Sequence, residues 1–212
     1  MQRRHFLHMS SLAGIGMTAG TCLAAMGRKP DAGEAALPRA SDSVVEIPDM
    51  ILGDPSAPVE IIEYASFTCS HCARFQATVK PRLVAEQIET GQAKFIFREV
   101  YFDRPGIWAS LMARAAGANR FFAVSDLLYE RQRDWLSGDP AEISQNLRKI
   151  GKIAGMQEEA LEEAFSDAAK AEALVAWQET NLARDGVNAT PTVFVDGKRI
   201  SAWDYESIVS AM

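Results

Sequence analysis

Four consecutive residues, Cys69-Ser70-His71-Cys72, are the place in this chain where residue types and spacing dictate chemistry. The apolar run Val59-Glu60-Ile61-Ile62-Glu63-Tyr64-Ala65 ends shortly before them, so they fall at a strand-to-helix junction. There the first sulfur meets the unpaired N–H groups and the positive dipole end of the helix, both of which favour a thiolate. The second sulfur follows one turn on, within bridging reach. His71 either adds a positive charge beside the anion or is only a helix-start residue. A more acidic thiol leaves more readily, so the disulfide it forms is easier to reduce. The pattern reads as a redox dithiol that needs no prosthetic group.

The other sulfurs and imidazoles narrow the chemistry further. Cysteine occurs only at positions 22, 69 and 72, and histidine only at 5, 8 and 71. Cys22, His5 and His8 fall in a segment that looks like an export signal, which leaves two cysteines and one histidine after processing. That is too few for an ordinary zinc site, so no metal is expected. A Cys-His hydrolase is also disfavoured, because adjacent residues in one turn cannot reproduce a nucleophile oriented by a distant base.

Arg3 and Arg4 are followed by a weakly apolar, glycine-containing stretch from Phe6 to Met26. Arg3-Arg4-His5-Phe6-Leu7 is similar to a twin-arginine signal, and Arg28-Lys29 beyond the apolar stretch disfavours the general secretory route. A general signal holding two arginines and an uncleaved anchor are the alternatives. Thr21 before Cys22, where a lipoprotein box has Gly or Ala, argues against lipidation. Loss of the two arginines would take the net charge from −6 to −8. Such acidity argues against nucleic acid and against adhesion to anionic lipid.

The elements that must position the dithiol follow from local pattern. Residues 28–43 are rich in Ala, Pro and charge without periodicity and read as a flexible tether. Gly53-Asp54-Pro55 turns into the strand at 59–65, whose weak alternation suits a central position. A helix from about residue 70 is disturbed by Pro81 and ends at Thr90-Gly91, and Lys94–Val100 reads as a second, parallel strand. Residues 105–183 are helical throughout, with Asp139-Pro140-Ala141-Glu142 as a capping box. Their apolar stripes, including Leu161, Phe165, Ala168 and Leu174, read as core. Strand character returns over residues 188–195, Asp196-Gly197 makes a hairpin turn into Lys198-Arg199-Ile200, and a short helix closes the chain.

This β-α-β piece and β-β-α piece around a helical block resemble the thioredoxin superfamily, and more narrowly the bacterial periplasmic DsbA-like thiol:disulfide interchange proteins. The resemblance covers residues 46–212 and rests on Cys69-Ser70-His71-Cys72, Ala189-Thr190-Pro191-Thr192 and Gly53-Asp54-Pro55. It implies an α/β, thioredoxin-like fold with an inserted helical domain. The organisation would be an export signal over 1–27, a tether over 28–43, a thioredoxin-like domain from 44–104 and 184–212, and a helical insertion over 105–183.

By the same resemblance Cys69 is the attacking sulfur and Cys72 the resolving one, joined in a Cys69–Cys72 disulfide. Thr190 and Pro191 lie beside them to pair with substrate, the proline in the cis form. Glu63 matches the buried acid that assists proton transfer. From the residues alone, Pro191 could equally be a trans proline starting an edge strand, and Glu63 an exposed strand acid. Ser70 departs from the proline usual in strong oxidants.

The implied activity is a monomeric dithiol oxidase in the periplasm. It would pass disulfides to reduced exported proteins and be reoxidised by a membrane partner. A reductase or isomerase of the same fold, or a non-redox peptide-binding module, are the alternatives. An isomerase is disfavoured by the short stretch between signal and first core element.

Overall fold

The computed structural model describes residues 45–212. The expected export signal, the tether and Cys22 lie outside the described residues. Strands β1 (Met50–Leu52), β2 (Val59–Ala65), β3 (Ala93–Glu99), β4 (Thr192–Val195) and β5 (Lys198–Arg199) form one sheet. Their order is β1-β3-β2-β4-β5, so β2 is the middle strand. It pairs parallel with β3, Ile61 opposite Phe95, and antiparallel with β4, Ile61 opposite Val195. β1 pairs antiparallel with the outer edge of β3. Three residues carry no readable alternation, so local pattern does not announce this strand. β4 and β5 form the expected hairpin, with Asp196 at φ 47° and Gly197 at φ 74° in its turn.

Side-chain alternation along β2 divides the interior in two. Ile61 and Ala65 enter the main core with Phe95, Phe97, Phe75, Phe121 and Trp135. Ile62 and Tyr64 face the opposite side with Ile96, Val187 and Phe194. Glu63 shares the face of Ile61 and Ala65 and is thereby carried into the main core.

Helix α1 (Ser70–Thr78) starts directly after β2's loop, and α2 (Lys80–Leu83) continues its direction into a π-helical turn at Val84–Ile88. The break follows from Pro81, which has no N–H to give to the preceding turn. Between β3 and β4 come α3 (Arg104–Ala115), α4 (Ala118–Glu130), α5 (Gln132–Trp135), α6 (Pro140–Ile153), α7 (Glu158–Ser166) and α8 (Ala168–Asp185). The last helix is α9 (Tyr205–Val209). α6 has the capping box: Asp139 accepts from the N–H groups of Ala141 and Glu142, and Glu142 reaches back to Asp139 N–H. Leu161 and Leu174 are fully buried, whereas Ala168, at the start of α8, is exposed and belongs to no stripe.

A bidentate ion pair fastens this helical block to the sheet. Arg114 of α3 donates to both carboxylate oxygens of Glu99 at 2.6 and 2.7 Å and to Pro48 O at 3.0 Å. Planar guanidinium and carboxylate match in geometry, and their burial makes the pair an all-or-none contact.

Candidate active site

The dithiol lies where β2 hands over to α1. Cys69 is the N-cap of α1, with extended backbone at φ −87° and ψ 122°, and no side chain caps the helix. The first-turn N–H groups are therefore left for the sulfur. Cys69 is half-buried and Cys72 is completely enclosed at 0% exposure.

That difference in access is matched by a difference in acidity. Cys69 is lowered from 9.0 to about 5, first by a hydrogen bond from the Cys72 side chain, then by Thr190 and the N–H groups of Cys72 and His71. Burial of Cys69 opposes this shift. Cys72 moves the other way: burial first, then its hydrogen bond to Cys69, hold it well above the ordinary thiol range. One sulfur is thus an accessible thiolate at neutral pH and the other a shielded thiol. Ser70 and His71 are exposed on the same turn and leave the pair open to an approaching chain.

Thr190-Pro191 is a cis peptide. It stands against the dithiol, with Thr190 O 3.7 Å from Cys69 Sγ. The position follows from topology, because β4 pairs with the strand that leads into the Cys69 loop. Tyr64 lies opposite Thr192, so the residues just before β4 fall beside the loop just after β2.

Glu63 is fully buried. Its Oε2 accepts from Gln76 Nε2 at 2.6 Å, and burial raises its carboxyl well above the usual range against the lowering pull of Lys80 and Gln76. The acid therefore keeps its proton to higher pH than a free carboxyl does, in the same core as Cys72. All seven residues singled out from sequence lie on β2, at the start of α1 or in the segment before β4.

Three others carry no such sequence signal. Gln132 of α5 donates to Phe67 O at 2.8 Å and to Cys69 O at 3.0 Å, holding the loop from the helical block. Lys80 is buried, paired with Asp126 and 5.4 Å from the Phe122 ring centroid. Tyr129 is buried, its ring centroid 5.2 Å from that of Phe67. Each is a polar residue in a helix whose partners are remote in sequence, and nothing local marks it. No group of His, Cys, Asp and Glu among the described residues is arranged to hold a metal ion.

Residues 46–212 match a family model described as thioredoxin. Fold and dithiol placement agree, and the chain belongs to the thioredoxin family. Within it the chain is DsbA-like. It is 30% identical over 168 residues to a Rickettsia bellii protein named as a putative protein-disulfide oxidoreductase, covering 77% of this chain and 63% of that one. It is 26% identical to disulfide bond formation protein D of Bacillus subtilis, covering 74% and 72%. Among solved structures, a doubly substituted form of Wolbachia pipientis alpha-DsbA1 is 28% identical with TM-score 0.64, covering 76% of this chain and 80% of that chain. Oxidised BdbD of Bacillus subtilis shares the fold at TM-score 0.68 and 24% identity, covering 76% and 89%. The chain spans 59% to 63% of the length of its Rickettsia bellii and Rickettsia felis relatives.

Proposed function

We propose that this chain is a thiol:disulfide oxidoreductase working as a dithiol oxidase on exported proteins, through a mixed disulfide at Cys69. The observation that carries the reading is the asymmetry of the two sulfurs: Cys69 half-buried with a pKa of about 5, Cys72 enclosed and raised. A substrate thiolate attacks Cys69 of the Cys69–Cys72 disulfide; the new S–S bond forms at Cys69 and the electron pair leaves on Cys72, which takes up a proton. A second substrate thiolate then attacks the substrate sulfur of the mixed disulfide, and Cys69 departs as a thiolate. The substrate dithiol is oxidised and the protein disulfide is reduced.

The direction follows from the same asymmetry. A thiol that ionises near pH 5 is a good leaving group and stabilises the reduced form, which makes the disulfide a donor. The Thr190 carbonyl beside Cys69 offers an acceptor to an extended chain crossing the dithiol, in the manner of strand addition. Ser70 and His71 border that approach.

The proposed setting is the periplasm, with a membrane partner that restores the disulfide. No helix among the described residues is long and apolar enough to cross a membrane. Chemistry at two sulfurs accounts for the reading without a further cofactor.

Equilibration with glutathione buffers, quenched by acid and alkylated, tests direction. Reduction by modest glutathione, with catalysed oxidative refolding of a reduced unfolded protein, is the expected result. A disulfide that resists glutathione would reverse the reading to a reductase. Exchange undiminished in Cys69→Ser would remove the dithiol altogether.

A further inference from the structure

The resolving sulfur has a proton problem. When Cys72 leaves, it must be protonated, and it is fully enclosed. Glu63, also enclosed, can supply the proton, yet the carboxylate left behind is buried and needs a proton back from water. β2 offers no path, since Glu63 lies between Phe97 of β3 and Val193 of β4.

A path exists on the other side. Between α1, α2 and α4 lies a groove of about 510 Å³, bordered by Gln76, Lys80, Glu89, Asp126, Tyr129 and Glu130. Gln76 is the link inward, because its Nε2 holds Glu63 Oε2 at 2.6 Å while the residue also borders the groove. Lys80, one turn further along, pairs with Asp126, whose side chain is 60% exposed and marks the opening. Three buried polar atoms of these residues have no partner from the protein: Glu63 Oε1, Gln76 Oε1 and Tyr129 OH. Unpartnered oxygens at the wall of a solvent-reached groove are where bridging water is held, since such a molecule needs two to four polar partners.

We propose that Tyr129 and Lys80 are positioning residues of a proton route that runs from the groove to Glu63 and on to Cys72. The proposal rests on the oxidoreductase reading. In the balanced step, the Cys69–Cys72 bond breaks as substrate sulfur bonds to Cys69. The electron pair and the Glu63 proton go to Cys72. A groove water, held by Tyr129 OH, then gives a proton to the Glu63 carboxylate and is itself reprotonated from solvent near Asp126. The Lys80 ammonium stabilises the transient carboxylate. The charged and titratable groups facing Glu63 are Cys69 and Cys72 from the start of α1, Lys80 from α2 and Tyr129 from α4, with Asp126, Glu89 and Glu130 on the groove's rim. The surroundings of Tyr129 fit this placement, because burial, joined by the negative charge that forms in turn on Cys72 and Glu63 during exchange, raises its phenol well above the usual range.

Tyr129→Phe keeps the ring and deletes the hydroxyl. In stopped-flow reduction of the full chain's disulfide by dithiothreitol from pH 5 to 9, the variant should be slower by about tenfold, the worth of one hydrogen bond to a charged group. Added imidazole, small enough to serve as a proton carrier in the groove, should restore the rate. In Lys80→Met the Glu63 carboxyl, followed by carbon-detected NMR, should titrate higher by about one pH unit. A Tyr129→Phe rate and pH profile equal to wild type would overturn the route while the oxidoreductase reading stands. That reading fails separately if Cys69→Ser is reduced or exchanges as wild type does.

Discussion

The side-chain amide of Gln132 donates to the carbonyl oxygen of Cys69 at 3.0 Å, across 63 residues of sequence. The same nitrogen serves Phe67 O at 2.8 Å. One helical residue thereby satisfies two carbonyls of the loop that presents the attacking sulfur. The helical block is more than a wall beside the dithiol; through Gln132 it holds the loop's backbone in register with α1.

Gln132→Leu is expected to strand the Phe67 carbonyl in a buried setting, whereas the Cys69 carbonyl keeps the Ala73 N–H at 3.1 Å. The cost should be about 1–3 kcal/mol in stability, the usual penalty for an unmet buried partner. Denaturant melts would measure it, and the alkylation rate of Cys69 should change as the loop loosens. An unchanged midpoint with unchanged alkylation would show that the loop holds itself.

The dithiol and its supporting strands are legible in the sequence because their signals are local. Cys69 and Cys72 are separated by two residues, β2 is an apolar run, and Asp196-Gly197 sits between two strand-like segments. Glu63 is half legible: its alternation with Ile61 and Ala65 places it on their face, but the run alone does not say on which face the deeper core lies. Gln132, Lys80 and Tyr129 are illegible. Their helices would read the same with these side chains in solvent, and only the packing of α4 and α5 against α1 gives them partners. β1 is hidden for a similar reason, since it exists by pairing with β3 rather than by its own pattern.

Arg114 and Glu99 are 2% and 1% exposed at their side chains, so neither charge has water to fall back on. Arg114→Met should cost about 3–5 kcal/mol, because it leaves Glu99 buried and unpaired. Adding Glu99→Leu should recover much of that loss. Urea melts of the single and double variants give the comparison. Equal destabilisation by both would mean that packing against Trp177, 5.3 Å from the guanidinium, matters more than charge.

The stability of the dithiol form should depend on pH through Cys69. Its folded pKa of about 5 lies below the ordinary thiol value of 9.0. A depressed acid stabilises the fold in full above the unfolded value, and the contribution shrinks as pH falls and is gone below the folded one. The disulfide form has no thiolate and no such dependence. The free-energy difference between dithiol and disulfide forms should therefore fall steadily from pH 9 to pH 5 and then level. A difference that is flat over this window would mean that Cys69 is not acidified.

Glu63 should show the opposite linkage. Its carboxyl is raised well above 4.5 by burial. Below pH 4.5 the folded and unfolded chains both hold the proton, and glutamate and glutamine are equivalent at this position. As pH rises, the unfolded chain releases a proton that the folded chain keeps, so the wild type loses stability relative to a neutral side chain. Glu63→Gln, which keeps an oxygen for Gln76 Nε2, should be no more stable than wild type at about pH 4 and increasingly more stable toward about pH 8. It should also slow reduction of the disulfide, because the proton that Cys72 requires is no longer available from this position. Thermal melts across pH, paired with stopped-flow reduction, separate the two effects. A stability gain that is constant with pH would show that the carboxyl titrates normally, and unslowed reduction would exclude it as the proton source.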